Sequence, residues 1–66
     1  MSKDFFRGVI TSLAVLKGFG MDTIYEEIIK TVGEDELVRI ARSDGAMRWS
    51  GLSGYRRLKR QGAGQE

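Results

Sequence analysis

A basic stretch near the C-terminus contains the residue types best suited to a binding function. The segment RWSGLSGYRRLKRQG, residues 48–62, carries five basic side chains and two aromatic rings. Guanidinium and ammonium groups bind phosphate, and aromatic rings can stack on nucleic-acid bases. We therefore predict a nucleic-acid-binding surface made of six residues of this segment: Arg48, Tyr55, Arg56, Arg57, Lys59 and Arg60.

The distribution of charge along the chain supports this prediction, although the net charge is only +2. Residues 1–38 carry four basic and seven acidic side chains, a net charge of −3, whereas residues 39–66 carry seven basic and two acidic ones, a net charge of +5. A surface with a concentrated positive charge attracts polyanions such as nucleic acid. The alternative interpretation is a solvated helix face whose cations suit the dipole at a helix C-terminus.

The spacing of apolar residues predicts which way these cations point. Leu52, Tyr55 and Leu58 lie three apart, so they would form the buried edge of a C-terminal helix and direct its basic side chains outward. Arg39, Arg42 and Arg48 extend the basic surface if they lie on the same side of the fold. Trp49 is predicted to anchor the core or an interface, with base stacking as the alternative.

A sequence-specific helix-turn-helix is not supported by the residues around this segment. If residues 39–47 form the leading helix and turn, the next helix should carry an apolar residue at position 51, which is Gly51. If residues 49–53 form the turn, the helix that follows is too short. We therefore expect phosphate contacts with little sequence discrimination.

The residues needed for enzymatic chemistry are largely missing. The chain contains no His and no Cys, so it lacks the usual general base, the usual nucleophile pairs and ordinary zinc ligands. The acidic run at residues 34–36 could hold a hard cation weakly, but such a run is typical of the first turn of a helix. We predict a non-enzymatic regulatory protein without a metal or cofactor.

The elements that would position the basic segment are helices. Apolar residues recur every three or four positions, and glycines, with no proline anywhere, mark the breaks. We predict an all-α fold of three to four short helices in a small bundle, with no sheet. The helices are expected over about 3–17, 23–32, 34–44 and 52–60, in a single domain over residues 1–61 with a flexible tail at 62–66.

A chain of 66 residues forms only a small hydrophobic core. Proteins of this size usually need disulfide bonds, a structural metal or oligomerisation to be stably folded. Disulfides and zinc are excluded by composition, so we expect the bundle to be completed by homodimerisation. The apolar stripe of the first helix is the predicted oligomer interface: Phe5, Phe6, Val9, Ile10, Leu13 and Leu16.

A second class of function remains open from the sequence. The chain could be a small inhibitor or adaptor of the kind that phages and mobile elements encode, docking on a larger protein through surplus apolar surface. The residues that would supply this surface are Phe5, Phe6, Val15, Phe19 and Trp49. No membrane partner is expected, because the longest strongly apolar run, residues 8–16, is much shorter than the roughly 20 residues that span a bilayer. We expect a cytoplasmic location.

Overall fold

The computed structural model describes the backbone of residues 2–64 and the side chains of residues 2–60. Within this range the chain is 78% helical and contains no strand, which confirms the predicted all-α fold. The four helices are α1 (Lys3–Gly18), α2 (Asp22–Val32), α3 (Glu34–Ser43) and α4 (Leu52–Gly64). The last helix extends four residues beyond its predicted end. Residues 62–64 of the predicted tail belong to this helix, whereas residues 65–66 lie outside the described part, and the flexibility of the tail stays a prediction.

The first three helices enclose the core, and each contributes apolar residues at helical spacing. The Ser2 side chain caps α1 by accepting a hydrogen bond from the backbone N–H of Phe5. This cap marks the residue at which the helix begins. Gly33 alone connects α2 and α3, and both helices bury apolar residues in the same core. The buried apolar residues that form this core are Phe6, Ile10, Leu13, Tyr25, Ile29, Leu37, Ile40, Ala41, Ala46 and Leu52.

The segment between α3 and α4 begins near the N-terminal part of α1 and ends near the C-terminal part of that helix, where α4 begins. At its start, the carboxylate of Asp44 accepts two hydrogen bonds from the Arg7 guanidinium, at 2.7 and 3.1 Å. At its end, Gly51 lies beneath the Lys17 side chain. Ten residues of helix separate Arg7 from Lys17, about 15 Å along the axis. The bidentate contact with Arg7 also lowers the pKa of the Asp44 carboxyl.

The residues predicted to form a dimer interface divide into two groups in this fold. Phe6, Ile10 and Leu13 are buried in the core of the chain itself, so they have no surface with which to contact a second copy. Val9 and Leu16 are partly buried against that core, and Phe5 is exposed. The dimer itself stays a prediction, and the structure leaves only the second group available to a partner.

Gly51 is the residue at which the turn into α4 depends on glycine. Its φ of +83° is a conformation that side chains with a Cβ adopt only at a cost, and an added Cβ would collide with Lys17 and lie 3.0 Å from the Tyr25 hydroxyl. We expect Gly51→Ala to lower the free energy of unfolding by about 1–2 kcal/mol.

The matched control is Gly8→Ala, inside α1, where an added Cβ meets no atom within 4 Å. We expect this control to raise the free energy of unfolding by about 0.5–1 kcal/mol, because alanine favours helix interiors over glycine. Urea unfolding of both variants measures the difference. Equal effects of the two substitutions would contradict the turn geometry.

Candidate nucleic-acid interface

The first turns of α4 hold the basic helix on the three-helix core. Leu52 is fully buried, and the Tyr55 ring lies 5.9 Å from the Tyr25 ring. Leu58 is 69% exposed, so the prediction that it continues the buried edge is wrong. The reason is that a groove stays open between α2 and α4 at this level, and Leu58 lines it without being covered.

Tyr25 fixes the turn that precedes α4. Its buried hydroxyl donates a 2.7 Å hydrogen bond to the backbone carbonyl of Ser50. Burial, with a smaller contribution from Tyr55, raises the pKa of Tyr25 to about 12. The backbone on either side is also bonded, since the Leu52 amide donates to the Ser50 hydroxyl and the Ser53 amide to the Met47 carbonyl. The start of α4 is therefore held in place by buried hydrogen bonds.

The raised pKa of Tyr25 predicts a loss of stability at high pH. In the unfolded chain the phenol ionises at its ordinary pKa of 10.0, whereas in the folded chain it stays protonated until about pH 12. Stability is therefore fully present below pH 10 and is lost between pH 10 and 12, by about 2–3 kcal/mol in total. Urea unfolding at pH 9 to 12 measures this loss.

Tyr25→Phe is the control for this pH dependence. The variant should be less stable at neutral pH by about 1–3 kcal/mol, because the Ser50 carbonyl loses its buried donor. Because the variant has no hydroxyl at position 25, its stability should fall less between pH 10 and 12 than that of the wild-type protein. If the free energy of unfolding falls equally for the two proteins above pH 10, the alkaline loss of stability does not come from Tyr25.

An acidic residue of α3 pairs with two cations of α4. The Glu34 carboxylate, with only 20% of its side chain exposed, lies 2.8 Å from the Lys59 ammonium and 3.4 Å from the Arg56 guanidinium. The hydrogen bond from Lys59 raises the pKa of that lysine. Two of the six residues predicted to bind nucleic acid are therefore ion-paired within the chain.

Residues of α4 also form a concave basic surface with the end of α3. A cavity of about 220 Å³ is lined by four arginines together with Ser53 and Met47. We call this cavity the arginine hollow, and its arginines are Arg42 of α3 and Arg56, Arg57 and Arg60 of α4. Among the residues that the structure describes, no carboxylate lines it. Within the described residues, only Arg56 of these four has an ion-pair partner. The arrangement concentrates positive charge in a concave site, as anion binding requires.

The remaining predicted residues lie away from the hollow. Tyr55 and Lys59 line the groove on the opposite side of α4, and Arg48 is exposed in the segment before α4 without lining either cavity. Arg42, which the sequence only suggested as an extension, is a central part of the hollow. Arg39 does not join it, because its guanidinium pairs with Glu36 of the same helix at 2.6 Å.

The groove between α2 and α4 has a different character. It measures about 670 Å³, and its apolar floor includes Tyr25, Ile29, Tyr55 and Leu58. Its rim carries lysines and carboxylates in equal number, and two of these pairs are closed ion pairs, Lys30–Glu26 at 2.9 Å and Lys59–Glu34 at 2.8 Å. This balance of charge makes the groove less suited to phosphate than the arginine hollow.

Exposed apolar side chains gather at the corner between α1 and α2. Phe19, at the end of α1, is 78% exposed, and Val15, Met21 and Ile24 are also exposed. We call these four residues the corner patch. Trp49 is 55% exposed, so the prediction that it anchors the core of the chain is wrong. Its backbone lies in the turn that Tyr25 fixes, and the buried position beside it is taken by Ser50.

The described residues contain no group of three or more acidic, histidine or cysteine side chains placed to hold a metal ion. None of the helices described here is long and apolar enough to cross a bilayer. Comparison with family models, curated proteins and solved structures finds no match to this chain.

Proposed function

We propose that this chain is a small, non-enzymatic regulatory protein of the cytoplasm that binds nucleic acid through phosphate contacts. The observation that carries the proposal is the arginine hollow, a site lined by four arginines from two helices and, among the described residues, by no carboxylate. Guanidinium forks bind phosphate oxygens in bidentate fashion, more strongly than neutral donors do. The exposed ammonium of Lys59 lies on the same helix and offers a further contact if it leaves Glu34.

Direct binding tests this function. The wild-type protein is titrated at low salt into a labelled mixed-sequence duplex and into one of its single strands, with fluorescence anisotropy as the readout. We expect binding that weakens as salt is added and that changes little when the sequence is scrambled, because phosphate contacts carry no sequence information. If neither nucleic acid binds at low salt, the proposed function is wrong.

Glu34 should limit the affinity for nucleic acid, because it competes with phosphate for two cations of α4. We expect Glu34→Gln to bind duplex more tightly and to steepen the slope of log affinity against log salt by up to about 1.8 units, about 0.9 for each cation released. Anisotropy titrations across a salt series measure this slope.

Asp35→Asn provides the matched control for Glu34→Gln. It removes one negative charge from the same first turn of α3, at an exposed residue that has no ion-pair partner within the described part of the chain. It should leave the slope nearly unchanged. If Glu34→Gln binds no more tightly than Asp35→Asn while both proteins keep their helical content, the competition does not exist.

A second candidate function is binding to a protein, and the corner patch is the observation that favours it. Four exposed apolar side chains lie within the ten residues 15–24, around the connection from α1 to α2. A contiguous apolar surface marks a site that a partner covers. That partner would be a second copy of the chain, which would form a homodimer, or a larger protein for which this chain acts as an inhibitor or an adaptor.

Sedimentation of the wild-type protein and of Phe19→Asp, from micromolar to submillimolar concentration, tests the first of these two partners. A dimer that the substitution dissociates supports self-association through the patch. A wild-type monomer at every concentration excludes it.

A further inference from the structure

We infer that the arginine hollow is a site for a phosphate monoester, the terminal phosphate of a nucleic-acid strand, rather than for internal phosphodiesters alone. The inference rests on the proposed function and adds to it the part of the nucleic acid that the hollow recognises. It starts from the lining of the hollow, to which Arg42 of α3 and three arginines of α4 all contribute, so that one site has donors from two helices.

Charge is the first reason to expect a monoester. Within the described residues, Arg42, Arg57 and Arg60 have no carboxylate partner, and the fourth arginine, Arg56, shares Glu34 at a distance of 3.4 Å. These like charges repel one another, so an anion that enters the hollow relieves the repulsion. A monoester carries about −1.5 to −2 charges near neutral pH, whereas an internal diester carries one, so the monoester relieves more of it.

Shape is the second reason. The hollow is an open concavity of about 220 Å³, which has room for a terminal phosphate with all three of its oxygens directed at the lining. A monoester presents three terminal oxygens to the donors around it. The guanidinium forks and the Ser53 side chain supply donors from several directions, which matches three oxygens better than the two free oxygens of a diester.

The bound phosphate would also join α4 to the rest of the fold. The described side chains of α4 reach the core through Leu52 and Tyr55 and reach α3 through the Glu34 ion pairs. A phosphate held by Arg42 and by the α4 arginines adds a second link between α3 and α4. Inorganic phosphate should therefore raise the melting temperature of the wild-type protein more than chloride does at equal ionic strength.

The test compares three oligonucleotides of one sequence and length, bearing a 5′-phosphate, a 3′-phosphate or hydroxyls at both ends. We expect the wild-type protein to bind one or both phosphorylated strands about tenfold more tightly than the hydroxyl strand, the gain from one additional charge-assisted contact. Inorganic phosphate should compete with the phosphorylated strand. Arg42→Gln should abolish the preference, and Arg39→Gln, an equal change of charge on the same helix, should keep it.

The outcomes separate this inference from the function on which it rests. Equal, salt-sensitive binding of all three strands overturns the inference and leaves the proposed function standing. Absence of binding to every strand at low salt overturns the proposed function. If a phosphoserine peptide binds more tightly than the phosphorylated strands, the hollow recognises a phosphate carried by a protein and not one carried by nucleic acid. A preference that survives Arg42→Gln overturns the assignment to the hollow.

Discussion

Leu13→Ala should lower the free energy of unfolding by about 2–5 kcal/mol, the largest stability effect that we expect from a single substitution. Leu13 is fully buried in α1, where it belongs to the hydrophobic core formed by the described residues. Removing its branched side chain forfeits the burial of apolar surface and leaves a cavity that the neighbouring helices cannot close. Because a core of this size rarely supplies more than about 3–5 kcal/mol, the variant should be substantially unfolded at room temperature.

Urea and thermal unfolding, followed by circular dichroism, measure this effect. Val15→Ala is the control, since Val15 lies two residues further along the same helix and is exposed. We expect the control to change stability by less than about 0.5 kcal/mol. A Leu13→Ala protein that melts like the wild type would contradict the packing of α1 against α2 and α3.

Replacing Arg56, Arg57 and Arg60 together by glutamine should produce the largest loss of nucleic-acid binding. All three side chains line the arginine hollow, and each phosphate contact on a duplex contributes about 0.9 to the slope of log affinity against log salt. Loss of three contacts should reduce the slope by about 2.7 units and the affinity at 0.1 M salt by roughly 100- to 500-fold. Helical content should be unchanged, because the α4 residues that reach the core, Leu52 and Tyr55, are kept.

A triple variant with the same change of net charge separates a local site from a general charge effect. Lys3, Lys30 and Arg39 lie away from the hollow, and the last two are engaged in ion pairs with Glu26 and Glu36. Their joint replacement by glutamine should reduce affinity far less than the α4 triple. Equal losses in the two triples would mean that net charge, and not the hollow, governs binding.

The fold could be predicted from the sequence because apolar spacing determines which face of a helix is buried. Phe6, Ile10 and Leu13 lie on one stripe of α1, and each is buried where that stripe predicts. The same reasoning failed for Leu58, because a helical period shows that a side chain lies on the apolar face but not whether another helix covers it there. At Leu58 the face of α2 stands apart and leaves a groove.

The candidate site could be predicted only in part, because its charges interact across the fold. The cations of α4 are evident in the sequence, but their division between two sides depends on Glu34, 22 residues before Arg56, and on Arg42, 14 residues before it. Such contacts join residues that are far apart in the sequence, and no local pattern encodes them. A sequence signal did exist for Arg42, since it lies on the solvent side of the last turn of α3, opposite the buried Leu37 and Ile40.

The salt dependence of duplex binding by the wild-type protein tests the central claim most directly. Affinity measured from low to moderate salt should give a linear plot of log affinity against log salt. With one internal phosphate of the duplex for each of the three α4 arginines of the hollow, we predict a slope of about −2.7 for a monomer and about −5 for a dimer. A slope near zero, or no binding at low salt, would show that the arginine hollow does not hold phosphate.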